Sequence, residues 1–313
     1  MEREIRFPRT QEKASGGRPA GCPCCGFGRV RINGRCRRRL IDPRLSEAEV
    51  VRYRCGGWGH SWRIYPEGVN RNTPQTHCQQ LVSATLYVLG LSYDKASVFL
   101  EALGCGIVKS AIWRNVQRLG EKARRRFLAR AGKLGCRPVL GFDETQLKVS
   151  GNGVTVGFLT APQTGEIVGM EILASREGEE LARWIVEAAK HFGAKALVSD
   201  ELECYKPAAE AAGLEHQLCL AHWRKATARR LKKITGYQQT HQRFRDRLGR
   251  KVPRTYQVPA TNNACENAIG RAGKIRHKAM RGYKSLRSAI STTFLIAGLG
   301  GVLAGVSFQS LIS

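Results

Sequence analysis

The sequence predicts an α/β chain built on a mixed five-stranded sheet with flanking helices, preceded by a cysteine-knuckle segment and a short helical region. Three observations predict it. Apolar runs of strand length and one strongly amphipathic stretch follow each other between residues 138 and 220. Cys22-Pro-Cys-Cys25-Gly26 follows a polar lead of twenty residues and comes before the basic run Arg35 to Arg39. The charge falls into blocks: of the 52 Lys and Arg and 25 Asp and Glu that give a net charge of +27, residues 1–137 hold 27 and 10, residues 138–220 hold 6 and 13, and residues 221–313 hold 19 and 2, so the blocks carry +17, −7 and +17. Two basic arms around an acidic middle fit a polyanion gripped by Lys and Arg around a site that gathers carboxylates. An apolar fraction of 42% supports a packed core and excludes general disorder. The 11 cysteines, with no N-terminal apolar secretory segment, point to a reducing cytoplasm rather than a disulfide framework.

Residues 1–20 form a flexible basic lead containing Gly16, Gly17 and Pro19. In residues 21–72 the two-residue gap between Cys22 and Cys25, followed by Gly26, lets two thiolates share one tetrahedral ion. The second half-knuckle departs from that pattern, because Trp58 stands three residues after Cys55. Its remaining ligand comes from His60, Cys36 or Cys24, with His60 favoured. The reading is a zinc-ribbon-like DNA-binding segment holding Zn²⁺ through Cys22, Cys25, Cys55 and His60.

Three helices follow in residues 73–135. Leu81, Ala84, Thr85, Tyr87 and Val88 mark the first. Ser92 caps the second, whose inward side is Ala96, Phe99, Leu100 and Leu103 and which Gly104 ends. The third starts at Ser110, with Ile112, Val116 and Leu119 inward and Lys109, Arg114, Gln117 and Arg118 outward. A Gly-containing turn before a helix that exposes basic and amide side chains is what a helix-turn-helix needs to enter the major groove. A separate basic helix, Glu121 to Lys133, leads into the core of residues 136–290.

Val139 to Phe142 reads as a strand ending on Asp143, and Gly153 to Ala161 and Ile167 to Leu173 as two more. Leu181, Trp184, Ile185, Ala188, Ala189 and Phe192 form the stripe of a crossover helix. Ala194 to Ser199 is a fourth strand delivering Asp200, and after a short helix around Pro207 to Ala212 comes a fifth, Gln217 to Leu220. In the order β-β-β-α-β-α-β, the crossover lays the fourth strand parallel beside the first, so Asp143 and Asp200 converge at adjacent strand ends. Two carboxylates so close repel unless a cation lies between them. Glu266 is one of only two acidic residues after Ala221, the other being Asp246, in a region dense with Lys and Arg. Within it Arg271, Lys274, Arg276 and Arg281 form a second candidate DNA grip. Residues 291–313, interrupted by Gly298, Gly300, Gly301 and Gly305, read as a buried apolar helix rather than a membrane span.

In this order the residues resemble the RNase H-like catalytic core of insertion-sequence transposases that carry an Asp-Asp-Glu triad, and the likeness extends over nearly the whole chain. Thr261-Asn262-Asn263-Ala264-Cys265-Glu266 is similar to the family's Glu motif, in which Thr or Asn caps a helix bearing Glu in its first turn. Cys219-Leu220-Ala221-His222 is similar to a Cys-x-x-His signature that follows the second Asp. The resemblance implies that Asp143, Asp200 and Glu266 are catalytic and hold two Mg²⁺ (or Mn²⁺) ions, with Asp143 shared. Such ions, about 3.5–4 Å apart, activate a water or 3′-hydroxyl and stabilise the phosphate in flight. Cys219, His222, Asn262 and Asn263 then support the site, with Glu144, Glu201 and Glu203 flanking it. The implied partners are double-stranded element ends and target DNA, met by a homodimer or higher oligomer in the prokaryotic cytoplasm, at the nucleoid. Relatives carry a longer insertion than Arg224 to Ala260, and that departure together with Trp58 leaves two alternatives. One is an RNase H-like nuclease or resolvase; the other is a decayed or domesticated DNA-binding protein without joining activity.

Overall fold

The computed structural model describes residues 7–14, 17–173, 179–200, 204–231, 259, 261–274, 277 and 282–303. The chain divides into two compact units, Met1–Arg124 with Ile290–Ser313, and Arg125–Ala289.

In the first unit, β1 (Val30–Arg39), β2 (Glu47–Cys55) and β3 (Ser61–Ile64) form an antiparallel sheet in that order. Period-two alternation puts Val51 and Tyr53 of β2 on one face, packed with Val30, Trp62 and Ile64, and leaves Arg52 and Arg54 exposed on the other. A register shift between Ile32 and Arg35 bends β1 where Gly34 adopts φ 125°. Helix α1 (His77–Val88) starts at Thr76, whose side chain accepts from the Gln79 N–H. Helix α2 (Tyr93–Ala102) starts as expected at Ser92, which accepts from the Lys95 N–H. Ala96 and Leu100 of α2 pack with Cys105, Ile107, Ala111 and Ile112, whereas Phe99 and Leu103 are exposed. The expected inward side of α2 is thus corrected: its buried stripe is one residue wide per turn.

Helix α3 (Lys109–Ala131) is continuous, so the expected break after residue 120 does not occur. Its N-terminal half buries a broad side, with Ala111, Ile112, Asn115, Val116, Gln117, Leu119, Gly120 and Ala123 all buried.

The second unit holds a five-stranded sheet: β4 (Val139–Val149), β5 (Asn152–Ala161), β6 (Glu166–Leu173), β7 (Ala196–Ser199) and β8 (Glu215–Leu218), in the order β6-β5-β4-β7-β8. The first three strands are antiparallel, and β7 is parallel to both β4 and β8. This is the mixed five-stranded sheet expected from the order of strands and crossover. Ser150 at φ 49° and Gly151 at φ 89° make the two-residue turn between β4 and β5. One face of the sheet, with Leu140, Phe142, Leu159 and Ala161, is covered by α4 (Glu179–Phe192) and α5 (Tyr205–Ala211) through Leu181, Ile185, Ala189, Phe192, Tyr205 and Ala209. Each large apolar side chain so buried contributes about 1.5–3 kcal/mol. Helix α6 (Leu220–Leu231) follows β8. Helix α7 (Asn263–Ala268) continues into a π-helical stretch, Ile269–Lys274, and lies over the opposite face, where Gly273 approaches Thr145 and Phe158.

Helix α8 (Leu286–Leu303) ends the described chain. From Ile290 on it belongs to the first unit, where Ser291, Thr292 and Leu295 are buried. A Cβ on Gly120 would stand 2.2 Å from the Ser291 carbonyl oxygen, so glycine lets α3 and α8 touch backbone to backbone.

Candidate functional site

The parallel pairing of β4 and β7 ends at Gly141 with Val198. Strand β7 stops at Ser199 and Asp200 follows it; β4 runs on, with Asp143 paired to Phe158 of β5. The expected position of Asp143 at a strand end is corrected accordingly: it is the fifth residue of an eleven-residue strand. Past Ser199, β4 continues without β7 beside it. Alternation then separates the neighbours. Asp143 is on the α7 face and half-buried, while Glu144 is buried on the α5 face and accepts a close hydrogen bond from the Tyr205 hydroxyl. Burial and the Glu144 carboxylate push the Tyr205 hydroxyl well above its ordinary pKa.

The Asp143 carboxyl is pushed up to about 7. Burial is the main cause; the charges of Glu144, Asp200 and Glu266 add to it, and the Glu144 N–H, 2.9 Å from Oδ1, works against it. Asp200 and Glu266 therefore both act electrostatically on Asp143. Their oxygens are not all within 4.8 Å of one another. Glu266 of α7 instead turns Oε1 to two donors of α6, His222 Nε2 at 3.0 Å and Lys225 Nζ at 3.7 Å.

Asn262 ties the site together. Its Nδ2 donates to the Phe142 carbonyl oxygen at 2.6 Å, one residue before Asp143, and its backbone N–H donates to Cys219 Sγ at 3.2 Å, just past β8. It occupies the N-cap position of α7 but makes no side-chain cap, which corrects the expected capping role; Asn263 is exposed in the first turn. Cys219 is likewise not in the fifth strand but directly after it. A Cβ at Gly141 would lie 2.4 Å from Asn262 Oδ1, so the tie requires glycine there. Buried Cys265 of α7 meets Thr160 Oγ1 of β5 at 2.9 Å, and burial pushes its thiol far up. Neither Gly141 nor the Thr160 and Tyr205 partnerships were legible in the sequence, since each depends on cross-element packing.

In the first unit Cys22, Cys25 and Cys55 bring their sulfurs within 4.8 Å of one another, the only such group of metal-ligating side chains among the described residues. Burial opposes ionisation of Cys22, but the Cys24 and Cys25 N–H groups and the Cys25 and Cys55 thiols outweigh it and bring the Cys22 thiol down to about 7. The structure does not bring His60 to these sulfurs; its ring stacks between Trp58 and Trp62. On α3, Lys109, Arg114 and Arg118 are exposed, and Lys109 pairs with Asp94 at 3.1 Å. Gln117 is a correction: it is 3% exposed, because α3 buries that side as well. Arg271 is exposed and Lys274 half-buried on the π-helical stretch. Arg276, Arg281, Glu201, Glu203 and most of the 224–260 segment lie outside the described residues.

Comparison with known proteins adds a match to the family described as Transposase IS66 family, over residues 73–251. The chain belongs to the IS66 transposase family. The part of this IS66-family chain that matches includes Asp143 and Asp200, and Glu266 lies beyond its end. Among solved structures, the catalytic core domain of BIV integrase is similar at 10% identity, covering 51% of this chain and 82% of that chain, with a TM-score of 0.31. No curated protein matches. No described helix is long and apolar enough to cross a membrane.

Proposed function

We propose that this IS66-family protein is a DNA transposase that binds element ends and carries out strand cleavage and strand transfer at Asp143, Asp200 and Glu266. The observation that carries this reading is the electrostatic coupling of the three carboxylates at Asp143, which burial and its acidic neighbours hold at about 7. An all-oxygen donor set suits hard Mg²⁺ or Mn²⁺, and such a cation would offset the repulsion. Two ions would be held with Asp143 shared, Asp200 on one and Glu266 on the other. Bound there, the ions would supply Lewis acidity and an activated water or 3′-hydroxyl. The chain's own residues supply position. Asn262 holds the start of α7 against β4, and His222 and Lys225 hold the Glu266 carboxylate in place beside the crevice. Lys109, Arg114 and Arg118 grip duplex DNA from the exposed side of α3 as the second helix of a helix-turn-helix, with Arg271 and Lys274 as further grips. Zinc on Cys22, Cys25 and Cys55 braces the ribbon, and a dimer brings two ends together in the prokaryotic cytoplasm.

The test is a cleavage and strand-transfer assay with labelled element ends and Mg²⁺. Asp143→Asn, Asp200→Asn and Glu266→Gln should each lose activity by about a hundredfold or more while binding DNA ends as before. Cleavage retained in Glu266→Gln but lost in Asp246→Asn means that the third carboxylate is misassigned. Cutting without joining would make the protein a nuclease, and binding without cutting a DNA-binding scaffold.

A further inference from the structure

The ribbon sheet carries four stacked rings. Tyr53 stacks on Trp62 at 6.0 Å between centroids, Trp62 on His60 at 5.9 Å, and His60 on Trp58 at 5.5 Å, with interplanar angles of 25°, 12° and 14°. The stack runs from the core to the surface: Tyr53 is 7% exposed and Trp58 63%. An exposed tryptophan alone is unremarkable, but this one is held in place from beneath by three rings. It borders an open groove of about 610 Å³ that is also lined by Arg18, Arg29, Arg31 and Arg54.

The arginines are placed at a cost. Arg31 is directly opposite Arg54 across β1 and β2, and Arg52 is directly opposite Arg63 across β2 and β3. Like charges in such cross-strand positions repel. The sequence has no carboxylate between Glu12 and Asp42 or between Glu49 and Glu67 to relieve them. The Glu47 and Glu49 carboxylates of β2 are taken up by Arg37 and Arg35 at the other end of the sheet. The repelling Arg31–Arg54 pair beside a stacked, open ring fits a ligand with both a phosphate chain and a flat face. In a duplex the base faces are covered by their neighbours, whereas unpaired nucleotides offer theirs.

We propose that this groove binds unpaired nucleotides of DNA, with a base stacked on Trp58 and the adjoining phosphates on Arg31 and Arg54. DNA rather than RNA as the ligand rests on the transposase reading; the site itself is separate from the carboxylates. Arg18 and Arg29 extend the cationic wall. Gly59, at φ 81°, lets the Arg54 guanidinium lie beside the turn that carries Trp58.

The experiment uses the full chain with zinc, without Mg²⁺, and follows fluorescence anisotropy of labelled dT12, a 12-base-pair duplex and rU12 over a range of salt. Trp58→Ala should weaken dT12 binding about tenfold and leave the duplex nearly unchanged, while Trp58→Phe keeps most of the affinity. Arg31→Ala with Arg54→Ala should lower the salt slope for dT12 by about 1.4, with a Tm unchanged or raised because a repelling pair is gone. Equal loss on dT12 and duplex, or no loss, overturns the proposal, and rU12 bound more tightly than dT12 overturns its assignment to DNA. Unchanged zinc stoichiometry shows that the variants keep the ribbon. Since no Mg²⁺ is present, Trp58-dependent binding of dT12 by a chain that fails to cleave would sink the catalytic reading alone.

Discussion

Asp143 is unusual for a surface-reaching aspartate in holding its proton up to about pH 7, and the consequence has a definite sign. Its folded pKa is raised above the unfolded value, so the native state binds the proton more tightly. The contribution is fully present below about pH 4 and is lost as pH rises through about 7. In metal-free buffer the unfolding free energy should therefore fall between pH 5 and 8 by on the order of 2–3 kcal/mol, allowing for partial exposure. Asp143→Asn should flatten that slope, and Mg²⁺ should restore stability at pH 8 more than at pH 5. Urea midpoints at the two pH values check it, and an unchanged slope in Asp143→Asn would place the titration elsewhere. A second residue prediction concerns Gly141. Its Cβ position lies 2.4 Å from Asn262 Oδ1 and 2.8 Å from Thr160 Oγ1, so Gly141→Ala must push Asn262 aside. A cost of about 1–3 kcal/mol is expected, and the double variant with Asn262→Ala should cost less than the two single effects added. Strict additivity in thermal unfolding would mean that the two residues do not share the strain.

Among the elements, those with the clearest period were the most legible. The stripe of α4 from Leu181 to Phe192 and the apolar runs of β5 to β7 lie where the sequence put them, within a residue or two at each end. What escaped depends on long-range packing. The continuation of β4 past Asp143 to Val149 is the exception, since Thr145, Leu147 and Val149 alternate locally with Glu144, Gln146 and Lys148 before the Ser150-Gly151 turn. Nothing near Gly120 announces that Ser291 will lie against it, and one long helix runs where two were expected. For the same reason Gln117, polar and hence read as outward, is buried. Asp200 was legible as a strand-following residue and Glu266 as a residue of a helix's first turn, but the partners of Glu266, His222 and Lys225, lie on a different helix. The corrected face of α3 carries its own prediction. Arg114→Ala with Arg118→Ala should weaken duplex binding and reduce its salt slope by about 1.8. Gln117→Ala should instead lower the Tm with little change in DNA affinity, since a buried amide is removed from a packed helix. If Gln117→Ala weakens binding while stability holds, α3 presents a different side to DNA.

At the scale of the molecule, two sets of candidate metal ligands belong to different compact units. The sulfurs of Cys22, Cys25 and Cys55 are in the first unit, and the oxygens of Asp143, Asp200 and Glu266 in the second. Soft thiolates select zinc and hard carboxylates select Mg²⁺ or Mn²⁺, so the two demands should separate in solution. Three thiolates leave a tetrahedral ion one ligand short, and His60 is engaged by two tryptophans. Zinc should therefore bind in one equivalent but come away more readily than from a four-ligand site. A thiophilic chelator should lower duplex and dT12 affinity without changing the cleavage rate of DNA supplied at saturation. Withdrawing Mg²⁺ should do the reverse, abolishing cleavage while end binding persists. Cys25→Ser should reproduce the first pattern and Asp200→Asn the second, with metal content measured on each. If zinc removal at saturating DNA stops cleavage as completely as Mg²⁺ removal does, the sulfur cluster is coupled to catalysis, and the division of labour between the two units is wrong.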